Sequence, residues 1–275
     1  MQQLIRILPV IGLLITTSFS FAGTADTIRI ESAAMHTNSN CVVIKPDSYK
    51  KKGGSYPVVY LLHGYSGSYN NWIRKVPELK DYADQYQLII VCPDGHYSSW
   101  YFDSPVDSSM RYETYISKEV VQYIDKHYRT IADKDHRAIT GLSMGGHGAL
   151  FLAFRHQDVF GAAGSLSGGV DLSESRNKYD VAKRIGDTVS HAREWHDLTV
   201  LNVIENYSNT GLKLFIDCGI KDIFINGNRA LHQKLLALKI AHDYIERPGE
   251  HNWEYWRNGI PYHLLFFKKF FVAKT

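Results

Sequence analysis

The stretch Arg137-Ala138-Ile139-Thr140-Gly141-Leu142-Ser143-Met144-Gly145 decides the fold, because it leads from a short apolar run into a helix-prone segment at 146–154. Gly-x-Ser-x-Gly between a strand and a helix is the pattern of a nucleophile elbow. A serine held there sits in a tight, strained turn, and its hydroxyl projects above the sheet instead of packing against it. Glycines flank it because side chains at those positions would collide with the neighbouring strand and helix. The motif by itself is only a turn. Its chemistry needs a histidine, an acid and an oxyanion hole from elsewhere in the chain.

Working outward, residues 56–62 and 88–92 are nearly continuous apolar runs, the mark of strands buried on both faces. The first ends in His63-Gly64-Tyr65-Ser66-Gly67 and the second in Pro93-Asp94-Gly95, with helical character over 72–86 between them. Over 113–128, Ile116, Val120, Tyr123, Ile124 and His127 recur at helical spacing, which predicts an amphipathic helix on a sheet. After the elbow helix, which runs to about His156, strands are expected at 160–166, 212–218 and 243–246, and helices at 228–240 and 262–272. At the N-terminal side, 27–33 and 40–46 read as an antiparallel pair turning at Thr37-Asn38-Ser39. Strands alternating with helices imply parallel βαβ units in a doubly wound sheet with helices on both faces. Residues 171–209 are polar and lack a strong period, so they read as a helical, lid-like insertion in what is otherwise one domain, 23–275.

Bulk properties narrow the function. The chain of 275 residues is 44% hydrophobic and 13% aromatic, ample for a sizeable core and opposed to disorder. Residues 1–22 have the form of a cleavable export signal: Arg6, then an apolar segment at 7–15, then Ser20-Phe21-Ala22. Pro9 and Gly12 interrupt that segment, and it is too short to span a bilayer, so no stable membrane insertion is expected and the protein is placed outside the cytoplasm, secreted or periplasmic. Removing it lowers the formal charge from +3 by one. The only basic cluster, Lys50-Lys51-Lys52, precedes Gly53-Gly54 in a solvated turn, so no nucleic-acid partner is implied. Cys41, Cys92 and Cys218 each lie in an apolar run and read as small buried hydrophobes; one pair could bond in an exported chain, with no basis for choosing which.

Ligands of open parallel sheets bind beyond the carboxyl ends of the strands. That rule selects Ser143, Asp222 after the 212–218 strand, and His251 after the last short strand, in the chain order Ser–acid–His of an α/β hydrolase. A serine hydroxyl becomes a useful nucleophile when an imidazole takes its proton, and His251 would return that proton to the leaving group. Asp222 would fix the imidazole tautomer and stabilise the imidazolium. Two backbone N–H donors are needed for the oxyanion: Met144 supplies one and Tyr65 the other, with Gly64, on the substrate side of the same loop, as the alternative. Asp217 is the rival acid, set back inside its strand, and Asp243 and Glu250 are more distant choices. His63, His147 and His156 read as structural. No His-Glu-x-x-His run or tight ligand cluster appears, so neither a metal nor another cofactor is expected.

The blocks Tyr-Leu-Leu-His-Gly-Tyr-Ser-Gly (60–67), Pro-Asp-Gly-His-Tyr-Ser-Ser-Trp-Tyr (93–101), Gly-Leu-Ser-Met-Gly-Gly-His-Gly-Ala-Leu (141–150), Cys-Gly-Ile-Lys-Asp (218–222) and Pro-Gly-Glu-His-Asn-Trp (248–253) resemble the putative-esterase family. That family includes secreted feruloyl and acetyl xylan esterases, small tributyrin-type carboxylesterases, S-formylglutathione hydrolases and the antigen 85 mycolyltransferases. The resemblance implies the α/β-hydrolase fold and the same Ser143, Asp222 and His251, and it adds Ser99-Trp100-Tyr101 as a substrate-facing loop. An export signal favours an esterase removing acetyl or feruloyl groups from plant polysaccharide; a broad small-carboxylester hydrolase, an S-formylglutathione hydrolase-like thioesterase and a non-catalytic binding module are the alternatives. Tyr65, Tyr69, Trp72, Trp100, Tyr101, Trp195 and Trp253 are aromatic residues in the loops that could stack on a sugar or a feruloyl ring, or pack instead.

Overall fold

The computed structural model describes residues 23–207 and 211–273; residues 1–22, where the export signal is read, lie outside them. Eight strands form one sheet: β1 (Thr24–Ser32), β2 (Thr37–Lys45), β3 (Val58–Leu62), β4 (Ile89–Pro93), β5 (Arg137–Gly141), β6 (Ala162–Leu166), β7 (Lys213–Gly219) and β8 (Asp243–Arg247). Their order is β1-β2-β4-β3-β5-β6-β7-β8; β2 runs antiparallel to β1 and β4, and every later pair is parallel.

β3 and β4 are apolar without a break because helices cover both faces. On β3, Val58, Tyr60 and Leu62 enter one core, which holds Ile116, Ile124, Leu150 and Leu231, while Val59 and Leu61 enter the other, with Leu79, Ala83, Leu264 and Phe267. The first face is covered by α4 (Val121–His127), α5 (Met144–Arg155) and α9 (Ile225–Ala237), and the second by α1 (Asn71–Lys75), α2 (Leu79–Tyr86) and α10 (Trp253–Val272). The 171–209 stretch folds into short helical pieces, including α6 (Val181–Ile185), α7 (Ala192–Leu198) and α8 (Val200–Val203), whose Val181, Trp195 and Val200 join the first core.

Several boundaries differ from the sequence reading, each for a local reason. The β1–β2 turn comes earlier, at 33–36 with His36 at φ 50°, because Thr37 and Asn38 pair with Ser32 and Glu31 as an edge ladder instead of turning. Pro77 splits the helix expected over 72–86 into α1 and α2, and the preceding Val76 leaves the helical region (φ −134°, ψ 69°), which a following proline disfavours. The helix over 113–128 is present but widens into a π turn at Tyr115–Val120 between α3 (Tyr112–Thr114) and α4. The last helix starts nine residues earlier than expected and carries Pro261 inside it, so the amide–carbonyl bond to Arg257 is missing while packing keeps the helix intact. All three cysteines are buried and free.

Candidate active site

The strand ends position the site. Ser143 joins β5 to α5 at φ 55° and ψ −117°, a strained conformation for a residue with a Cβ, and is held by Ser143 N–H donating to Leu166 O at 2.9 Å. Gly145 is required by close approach: a Cβ there would lie 2.6 Å from both Leu62 O and His63 O, the backbone at the end of β3. The acid and histidine loops are tied together, since Ile220 N–H donates to Arg247 O at 2.9 Å and Lys221 N–H to Gly249 O at 3.0 Å.

These loops bring the three expected side chains into one hydrogen-bonded chain. His251 Nδ1 lies 2.9 and 3.0 Å from the two Asp222 carboxylate oxygens, and its Nε2 lies 2.9 Å from Ser143 Oγ. A carboxylate only accepts, so Nδ1 carries the proton and Nε2 is the bare nitrogen that accepts from the serine hydroxyl. Asp222 is fully buried on its side chain, while His251 keeps 18% of its own exposed towards the cavity. The second Asp222 anchor is Phe224 N–H, donating to Oδ1 at 2.9 Å. Asp217 is occupied elsewhere: Arg247 Nη2 donates to its Oδ2 at 2.5 Å and the Tyr255 hydroxyl to its Oδ1. Burial pushes the Asp217 carboxyl pKa up against the pull of those two donors.

The three histidines set aside in the sequence are engaged in bracing. His63 Nδ1–H donates to Gly64 O at 2.8 Å and its Nε2 accepts from Gly95 N–H at 2.7 Å; burial lowers its pKa. His147 Nδ1 and Nε2 face the carbonyls of Trp100 (3.1 Å) and Leu198 (3.0 Å), so it ties the elbow helix to the insertion, and burial lowers its pKa to about 4. His156 Nε2 meets Glu113 Oε1 at 2.9 Å on the far side of α5.

A cavity of about 430 Å³ opens above Ser143, with Gly64, Tyr65, Tyr179, Trp253 and Trp256 in its walls. Met144 is the first residue of α5, so its N–H has no acceptor within the helix. Tyr65 N–H likewise has no acceptor among the described residues, whereas its neighbours Ser66 and Gly67 donate to Tyr97 O and Gly64 O. The expectation that Trp100 and Tyr101 face substrate is corrected: they are 1% and 0% exposed and absent from the cavity wall. Both take left-handed backbone (φ 55° and 63°), which turns their rings inward. Trp100 Nε1 donates to Tyr179 O at 3.0 Å, and the Tyr101 hydroxyl donates to His63 O at 2.9 Å, bracing the loop that bears Tyr65 from behind. Trp72 and Trp195 are also packed, whereas Tyr65 and Trp253 do line the cavity. Sequence reasoning missed Tyr179, which has no periodic or motif signal in its polar segment. It also missed Trp256, although Trp253 and Trp256 stand three apart, the spacing of neighbours on one helix face.

A mostly parallel eight-stranded sheet with an elbow serine at the end of a central strand defines an α/β hydrolase. The model of the family described as putative esterase matches residues 32–267, and the chain belongs to that family. It is 29% identical to an esterase of Mycobacterium tuberculosis over 249 residues, covering 81% of this chain and 54% of that one, so it spans about half the length of that relative. It is 26% identical to an acetyl esterase of Caldicellulosiruptor saccharolyticus, with 85% and 94% of the two chains covered. Among solved structures, a ferulic acid esterase superposes with a TM-score of 0.79 at 28% identity, covering 91% of this chain and 99% of that one.

Proposed function

We propose that this protein is an exported serine esterase that hydrolyses acetyl or feruloyl esters of plant polysaccharide through an acyl-enzyme on Ser143. The observation that carries the reading is the unbroken Ser143–His251–Asp222 hydrogen-bonded chain opening into a cavity. Ser143 Oγ attacks the ester carbonyl as its proton passes to His251 Nε2. The oxyanion that forms is held by the N–H groups of Tyr65 and Met144, each worth on the order of 10² to 10³ in rate. Collapse breaks the bond to the alcohol, which takes the proton from Nε2. Water then repeats the sequence on the Ser143 ester and releases the acid. Asp222 keeps the proton on Nδ1 throughout.

The cavity supports an uncharged ester. Apart from His251, none of its lining residues carries a titrating acid or base of the Asp, Glu, Lys or Arg type, and four are aromatic. A glutathione thioester presents carboxylates and an ammonium group that would have no partner there. A very long acyl chain would exceed a space of about 430 Å³. A binding module without chemistry would not need the strained Ser143 backbone. The test compares kcat/KM on acetylated xylan, methyl ferulate, p-nitrophenyl acetate and S-formylglutathione. Oxygen esters of the first three kinds should be preferred; a higher kcat/KM on S-formylglutathione would overturn the substrate assignment.

A further inference from the structure

Two rings stand against the imidazole that the reaction depends on. The Phe224 ring centroid lies 5.1 Å from that of His251 at an interplanar angle of 84°, and the Trp256 centroid lies 4.9 Å away at 89°. Both residues are buried, at 3% and 7% exposure. Phe224 belongs to the acid loop: its N–H holds Asp222 Oδ1, and its carbonyl accepts from Asn228 Nδ2 at 2.9 Å. Trp256 lies in the first turn of α10 and meets Trp253 edge to face at 5.5 Å, which in turn meets Trp72 at 5.3 Å.

Trp256 differs from the other buried tryptophans. The indole N–H groups of Trp72, Trp100 and Trp195 donate to the carbonyls of Leu62, Tyr179 and Gly186. Trp256 Nε1 is buried with no hydrogen-bond partner among the described residues, so ring contacts, not a polar tether, set its place. A buried donor left unpaired disfavours the fold, so what this side chain contributes here is its ring contacts.

We infer that Phe224 and Trp256 are positioning residues that hold the His251 imidazole during deacylation. The inference rests on the serine-esterase reading given above. In the free enzyme the imidazole is anchored at both ends of its plane, by Asp222 at Nδ1 and by the Ser143 hydroxyl at Nε2. Acylation turns Ser143 Oγ into an ester oxygen without a hydrogen, so the anchor at Nε2 is lost. The ring must still aim Nε2 at a water molecule: the water oxygen bonds to the acyl carbon, its proton passes to Nε2, the carbon–Oγ bond breaks, and Nε2 returns the proton to Oγ. With one polar anchor left, packing of the two perpendicular rings restricts rotation of the imidazole out of the Asp222 plane. A small misplacement at this step is costly in rate.

The test uses Phe224→Leu, Trp256→Leu and Trp256→Phe with p-nitrophenyl acetate, reading the burst, kcat and kcat/KM. Acylation governs kcat/KM and deacylation governs kcat, so Phe224→Leu, which lies outside the cavity wall, should lower kcat by roughly ten-fold while leaving kcat/KM within about three-fold, and Trp256→Leu, whose ring also lines the cavity, should lower kcat by a clearly larger factor than kcat/KM. Trp256→Phe keeps a ring in place and should give a kcat between wild type and Trp256→Leu. Equal losses in kcat and kcat/KM, equal losses in the Phe and Leu variants, or no loss at all would overturn the inference. Should the Leu variants fail to fold, Trp256→Phe alone decides it: a larger fall in kcat than in kcat/KM supports the assignment, and any other result removes it. Mass spectrometry separates the two levels. Wild-type protein without an acyl group on Ser143 refutes the esterase reading and this inference with it, whereas acylated Ser143 with an unchanged kcat in the variants refutes the positioning role alone.

Discussion

Exchanging either of two buried aspartates for asparagine should separate chemistry from stability. In Asp222→Asn the side chain keeps its shape, but an amide has one acceptor oxygen where the carboxylate had two facing His251 Nδ1 at 2.9 and 3.0 Å. With the amide NH₂ turned to the imidazole, the proton moves to Nε2, and Ser143 Oγ then faces a donor instead of a base. The loss expected for such a tautomer reversal is about 10⁴ in kcat, or about 5.5 kcal/mol of barrier. Unfolding free energy should change little, since the amide can still accept from Phe224 N–H. In Asp217→Asn the carboxylate that joins Arg247 on β8 to Tyr255 on α10 is removed. Breaking a buried ion pair costs about 3 to 5 kcal/mol, and because Arg247 keeps 20% of its side chain exposed the lower end applies. Per folded molecule, Asp217→Asn should retain wild-type turnover within about ten-fold, because Asp217 makes no contact with His251. Urea unfolding and p-nitrophenyl acetate kinetics on both variants supply the two axes. A folded Asp217→Asn protein that has lost 10⁴ in kcat, beside an active Asp222→Asn protein, would refute the assignment of the acid.

Two further perturbations probe the frame around the site. Gly145→Ala should lower both kcat and the melting temperature, because its methyl group would sit 2.6 Å from the carbonyl oxygens of Leu62 and His63, and either the elbow or the loop bearing Tyr65 must shift; an alanine variant with wild-type kinetics would contradict that packing. His263 is fully buried, with Nδ1 against Thr140 Oγ1 at 2.9 Å, and burial lowers its pKa to about 3. The unfolded chain, with an ordinary histidine, binds the proton first, so the folded state loses stability as pH falls from about 6.5 towards 3, by about 2 to 3 kcal/mol at pH 4.5. Replacing His263 with Phe should flatten that part of the curve of unfolding free energy against pH, and an unchanged slope would remove His263 as its source.

The sheet was legible because burial on both faces writes itself into sequence as unbroken apolar runs. Residues Val58–Leu62 and Ile89–Pro93 are such runs, each buried along its whole length. Ser143, Asp222 and His251 were legible because strand order and strand ends confine where a site can form. What failed to register depends on contacts far apart in the chain. Trp100 and Tyr101 look like exposed loop aromatics until the left-handed turn at both residues directs them inward to Tyr179 and His63. The closing helix reads as spanning 262–272, yet α10 begins at Trp253 and continues through Pro261 because Ile260, Leu264 and Phe267 bury the surrounding face. Tyr179 enters the cavity wall from a polar segment with no period to mark it.

The central claim is that Ser143 is the nucleophile, and covalent capture tests it most directly. Wild-type protein treated with a fluorophosphonate, digested and read by mass spectrometry should carry the adduct on the peptide containing Ser143, at one per molecule, with ester hydrolysis lost in parallel. Ser143→Ala should bind no label and show no turnover at an unchanged melting temperature. Labelling at another residue, or ester hydrolysis that persists in Ser143→Ala, would contradict the account.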